Sequence, residues 1–205
     1  FMVKASENIF FAVNSSNFSI ERSQVILNVA TLDYEICQPD DLVVDFIYNT
    51  DLGFVEESTF SVVGAPEGLT AVFSTPTATD DNTPVTITFS GAGSLPVGVY
   101  PVQVVATSAS VTKEITLNLA VFDTNFTDVV FTAPINGAVD VSTEVVLEWD
   151  ADIRNTEYDL EIATDIAFTN SIETVSITNT FYTPTNLENN ASYFWRVKPK
   201  NSCGE

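Results

Sequence analysis

Apolar and polar positions along this chain alternate with a period of two in short runs, and the 3.6-residue period of an amphipathic helix is almost absent. The runs Val25 to Leu32, Leu42 to Tyr48, Thr59 to Val63, Thr70 to Ser74, Val85 to Ser90, Val99 to Thr107 and Lys113 to Val121 read as strands. Turn formers separate them: Gln38-Pro-Asp-Asp41, Gly64-Ala-Pro-Glu-Gly68, Thr79-Asp-Asp-Asn-Thr-Pro84 and Gly91-Ala-Gly-Ser-Leu-Pro96. Within Leu95 to Ala106, Tyr100, Val102, Val104 and Ala106 share one face and follow a Gly turn. The spacing predicts that the Tyr100 hydroxyl ties back to the preceding crossover, as in a tyrosine corner. Ile115, Leu117, Leu119 and Val121 share a face of the last strand, which is expected to close its sheet.

Seven strands in about a hundred residues is the count of an immunoglobulin-like sandwich, placed here at residues 23–123. A linker, Asp123 to Asp128, leads to a second set of strands at Val145 to Trp149, Tyr158 to Ala163, Phe181 to Leu187 and Tyr193 to Val197. These predict a second sandwich over residues 124–205. Residues 1–22 hold two β-rich runs around a polar turn and read as the closing hairpin of a preceding module. In it, Phe10 and Phe11 point to opposite faces of one strand, so that one ring is buried and the other free to meet an upstream domain. The fold class is all-β: two tandem sandwiches with a leading hairpin.

Of 205 residues, 28 are acidic and 7 basic, a net charge of −21, and such a field opposes phosphate backbones, so nucleic acid is not expected as a partner. No apolar run reaches the roughly 20 residues needed to span a bilayer. With no histidine, the commonest general base and zinc ligand are missing. Cys37 and Cys203 fall in different sandwiches, which excludes a disulfide within one domain. Free thiols are the favoured state, with pairing to a residue beyond this chain as the alternative, and cysteine usage alone does not give the compartment.

Candidate chemistry is correspondingly thin. Zinc would need Cys37, Cys203 and carboxylates converging from two domains, and a serine nucleophile would lack an imidazole base. Asp40-Asp41 and Asp80-Asp81 could pair as carboxylates, but they sit in turns that Asp favours for capping its own backbone. Two groups could bind calcium, Asp40, Asp41 and Asp45 in one and Asp150, Asp152 and Asp159 in the other, though neither has regular calcium-loop spacing. Trp149 and Trp195 could form a stacking platform for a sugar. The alternative is core packing for Trp149, and packing under the Arg196 stem or against the sheet for Trp195. No catalytic residue, metal ligand or cofactor is expected.

Trp149 on an early strand, Leu187 six residues before Tyr193, and the Phe-Trp-Arg-Val that ends at Val197 resemble a fibronectin type III module over residues 132–205. Such a module has one more strand beside Tyr193 to Val197, and residues 1–13 or a neighbouring molecule are expected to pair there. The opening Val-Lys-Ala-Ser-x-Asn-Ile-Phe-Phe-Ala-Val, with Ile36 to Asp41, Gly64 to Thr70 and Asn201 to Glu205, resembles the accessory region of secreted reprolysin-like metallopeptidases of Bacteroidetes-type bacteria. The resemblance implies a non-catalytic spacer, secreted or at the cell surface, whose partners are other domains of the parent protein. None of that family's functional residues has a counterpart here. The competing class is a module that binds carbohydrate or protein at the cell surface, for which an exposed strip of aromatic rings would be the sign.

Overall fold

The computed structural model describes residues 24–205, so the expected hairpin at residues 1–22 and its Phe10-Phe11 pair lie outside the described residues. Strands β1 (Val25–Val29), β3 (Leu42–Thr50), β7 (Thr83–Ser90) and β5 (Thr70–Phe73) form one sheet in the order β1-β3-β7-β5. Strands β2 (Asp33–Cys37), β9 (Thr112–Phe122), β8 (Gly98–Thr107), β4 (Ser58–Val63) and β6 (Thr77–Ala78) form the second, in the order β2-β9-β8-β4-β6. Their inward alternate positions supply a common core, with Val44, Phe46, Ile87, Phe89, Val102, Val104, Leu117 and Leu119 all buried. One polar pair crosses it: the Tyr48 and Ser58 hydroxyls, both buried, lie 2.9 Å apart and link β3 to β4. Phe60 packs edge-on against both Phe46 and Tyr48.

One expected strand proves to be two. The run Val25 to Leu32 breaks after Val29, because the Thr31 hydroxyl accepts the Asp33 backbone N–H in a tight turn that carries the chain across to the other sheet. There β2 runs parallel to β9, so β9 is an inner strand and does not close its sheet as expected. Tyr34 and Ile36 alternate with Asp33 and Glu35, a five-residue signal too short to separate from the turn beside it.

The Tyr100 hydroxyl donates to the Pro96 carbonyl at 2.7 Å, as the spacing predicts. Nearby, Gly91 has φ 95°, and a Cβ there would lie 2.2 Å from the Gly68 carbonyl oxygen, so only glycine lets these two loops meet.

The second sandwich is smaller. Strands β10 (Phe131–Ala133), β11 (Leu147–Trp149) and β14 (Phe181–Tyr182) form one sheet, and β13 (Ser171–Ile177), β12 (Glu157–Ala163) and β15 (Phe194–Lys200) the other, each in that order. The core is Leu147, Trp149, Tyr158, Leu160 and Ile162, flanked by half-buried Ile172, Val175, Leu187, Tyr193, Trp195 and Val197. The expected strand Phe181 to Leu187 is only two residues long, since Pro184 lacks the N–H that continued pairing would need. Beyond it the chain turns, and the Glu188 backbone N–H donates to the Tyr193 hydroxyl at 2.8 Å. Among the described residues β15 pairs only with β12, leaving its other edge without a described partner strand.

Candidate functional site

The most built feature is the junction between the sandwiches. Cys37, at the end of β2, and Cys203, in the turn after β15, are joined by a disulfide with their Cα atoms 5.2 Å apart. This corrects the expectation of free thiols: two cysteines in different domains exclude a bond within one domain, but not a bond between two that pack together. The signal that sequence offers is weak, because Asn201-Ser-Cys-Gly204 reads as a generic turn.

The residues around each cysteine brace it. Asn201 uses all four hydrogen-bonding positions of its side chain. Its Nδ2 donates to the carbonyls of Asp123 and Arg154, both at 2.9 Å, tying the linker to the loop after β11. Its Oδ1 accepts the N–H groups of Cys203 at 2.8 Å and Gly204 at 3.1 Å, which fixes the turn carrying the cysteine. Gly204 packs so closely on the linker that a Cβ would lie 3.1 Å from Thr124 Cγ2.

On the other side, the Gln38 backbone N–H donates to the Phe122 carbonyl at 2.9 Å. Gln38 Nε2 donates to the carbonyls of Ala92 and Leu95 at 3.0 and 2.5 Å, fastening the residue after Cys37 to the adjoining loop. Asp152 completes the frame. Its carboxylate accepts the Arg154 N–H at 2.9 Å and the Thr127 hydroxyl at 2.9 Å, and pairs with the Arg154 guanidinium at 3.2 Å. The Arg154 backbone N–H, before the other donors, holds its pKa below the usual carboxylate value.

Three of the six aspartates in the proposed calcium groups, Asp45, Asp152 and Asp159, are held by other partners, as is Asp81 of the proposed carboxylate pairs. Asp152 is bound into the junction, whereas Asp159 lies on the outer face of the β12 sheet, accepting from Ser176 and, at 3.0 Å, from Lys200. Asp45 accepts the Thr86 hydroxyl at 2.7 Å, and Asp81 accepts the Thr50 N–H at 2.8 Å. Among the described residues, no group of three or more Cys, Asp or Glu side chains is placed to hold a metal ion. The outer face of β13-β12-β15 is a charge ladder: Glu161 takes Ser171 and the Arg196 guanidinium, whose Nε lies 2.8 Å away. Lys198 pairs with Glu205 at 2.9 Å, and Arg196 also covers the Phe168 ring at 4.2 Å.

The two tryptophans serve the interior. Trp149 is buried, edge-on to Tyr158 with ring centroids 5.5 Å apart. Trp195 is half-buried under Phe131 at 4.3 Å and lies 6.1 Å from Trp149. It therefore faces away from Arg196, its neighbour on the strand, and not under its stem. The exposed rings do not share a face among the described residues. Phe131 sits opposite Trp149, Phe181 lies opposite the outward Glu148, and Phe194 alternates with Trp195.

No family model matches the chain, and the search of curated proteins finds no relative. Similar solved structures include domains A168-A170 of titin, at 16% identity over 88% of this chain and 61% of that one, with a TM-score of 0.46. They also include domains 4 and 5 of the S-layer protein SbsC, at 14% identity over 49% of this chain and 54% of that one, with a TM-score of 0.34. A family 123 glycoside hydrolase from Clostridium perfringens aligns at 10% identity over 48% of this chain and 27% of that one, with a TM-score of 0.35. The chain thus spans less than two thirds of each. At these identities and TM-scores, no activity, ligand or partner passes from them to this chain.

Proposed function

We propose that this chain is a non-catalytic spacer in a longer secreted or cell-surface bacterial protein, holding a neighbouring domain at a fixed distance and angle. The observation that carries this reading is the junction, where a disulfide and the fully employed side chain of Asn201 fasten the second sandwich to the first. Two sandwiches on a bare linker would swing, whereas a covalent tie beside a two-carbonyl latch leaves little freedom. A persistent disulfide also fits an oxidising compartment outside the cytoplasm. In this reading the domains span residues 23–123 and 124–205, the second being a fibronectin type III module, and the parent is a metallopeptidase. The parentage is supported by sequence resemblance alone.

Spin labels on non-natural ketone side chains at the exposed positions Val72 and Ile166, with both native cysteines kept, test the spacer. A single narrow distance distribution supports it, and a broad one spanning many orientations contradicts it. An upstream coding sequence with a His-Glu-x-x-His helix would support the parentage, and a different catalytic module there would refute it.

A further inference from the structure

The position of the disulfide in the chain gives it a second consequence, resting on the spacer reading. Cys37 and Cys203 are 166 residues apart, so the closed loop contains β3 through β9 of the first sandwich and all of the second. Among the described elements only β1 and β2 precede the loop, and only Gly204 and Glu205 follow it. We propose that the Cys37–Cys203 disulfide is a covalent force bypass: when the chain is pulled from its two ends, tension along the backbone passes through the sulfur atoms and the looped segment cannot be drawn out.

Tension follows the shortest covalent path. In the oxidised chain it runs through the residues up to Cys37, crosses to Cys203 and leaves through the residues beyond. An extended chain reaches roughly 3.3–3.6 Å per residue, so the looped segment represents roughly 550–600 Å of potential extension. The disulfide replaces that length by a Cα separation of 5.2 Å. A cross-link that only stabilised one fold could sit anywhere in either sandwich; this one joins the end of β2 in the first sandwich to the turn after β15 in the second.

Its anchor points are also braced against being torn from the surface. Gln38 grips three carbonyls through its main chain and side chain, and Asn201 makes four hydrogen bonds. The described strands left in the load path are β1, which pairs with β3, and β2, which pairs with β9. They are the parts expected to peel under load, while both cores stay intact behind the bond.

Single-molecule stretching of the full 205-residue chain, with handles at Phe1 and Glu205, tests this. The oxidised molecule should release no more than the residues before Cys37, roughly 120–130 Å of contour. The same molecule, treated with a phosphine reductant after folding, should gain a further length of roughly 550–600 Å less the folded end separation. A Cys203→Ser chain should match the reduced one, and a chain whose second sandwich does not fold would still show the long extension at low force. Long steps in the oxidised molecule, or the same steps in both states, would overturn the bypass. A broad label-to-label distribution would sink the spacer reading while leaving these force steps unchanged, so the two failures are distinguishable.

Discussion

The core of the first sandwich is a cluster of twenty-one buried apolar residues between sheets of four and five strands, whereas that of the second is a cluster of five between two three-stranded sheets. Three strands of the second, β10, β11 and β14, are only two or three residues long. A core that small supplies little burial to offset the entropy of ordering its chain. The second sandwich leans on other devices: the disulfide, the Asn201 latch and the charge ladder. Four of the five described cations, Arg154, Arg196, Lys198 and Lys200, lie in it, while the first sandwich has Lys113. The contrast is between a unit held by its interior and one held by its attachments.

Removing the main attachment should have the largest effect. Closing a loop of this length raises the free energy of the unfolded chain by up to about 5 kcal/mol through lost entropy, and the stabilisation a disulfide typically gives is about 2–4 kcal/mol. Reduction should therefore lower the melting temperature of the second sandwich far more than that of the first. Superimposable curves with and without reductant would show that the second sandwich is self-sufficient.

Core truncation sharpens the contrast further. Leu160→Ala and Leu119→Ala each remove a fully buried side chain at a cost of about 2–5 kcal/mol. Because Trp149 and Trp195 both lie in the second sandwich, their fluorescence reports it alone. Leu160→Ala should abolish the folded signal or shift it to much lower denaturant, and Leu119→Ala should leave it nearly unchanged. Equal shifts would mean the two cores unfold as one.

Asn201→Ala should cost less, about 2 kcal/mol, since four half-exposed hydrogen bonds are exchanged for water. Asn201→Asp keeps the acceptor for Cys203 and Gly204 but loses the donor to Asp123 and Arg154, so it should fall between. Urea midpoints read by tryptophan fluorescence check the order.

The smallest effect is expected from acid. Asp152, Asp159, Glu161 and Asp165 in the second sandwich all have lowered pKa values, as do Glu56 and Asp81 in the first. The leading causes in the second sandwich are the Arg154 N–H on Asp152, the Ser176 hydroxyl on Asp159, the Ser171 hydroxyl on Glu161 and the Thr169 N–H on Asp165. A carboxylate whose pKa is lower in the folded state contributes stability above its unfolded value, here 3.8 to 4.5, and loses it as pH falls through the folded value. Below about pH 4 the second sandwich should weaken more than the first. Tryptophan fluorescence set against circular dichroism across the acid range checks this.

The parts of the fold that sequence made legible are those where a period-two pattern ran for six or more residues between turn formers, such as β7, β8, β9 and β12. The Tyr100 tie was readable because one residue type in one place has one common use. Strand β13 carries a period-two signal, Val175 and Ile177 alternating with Thr174 and Ser176, but it is not among the expected strands because the alternation covers only its last four residues. Strands β10 and β2 are set by their neighbours more than by their own residues, so their patterns were too short to read. The junction was least legible of all, since which cysteine meets which depends on how two sandwiches pack, and no local spacing encodes that.

Mass mapping of a non-reducing digest tests the central claim most directly, because the spacer, the bypass and the stability difference all depend on one covalent closure. A single cross-linked peptide pair containing Cys37 and Cys203, converted to two free peptides by reductant, is the predicted result. Recovery of both cysteines alkylated without reduction would contradict the account.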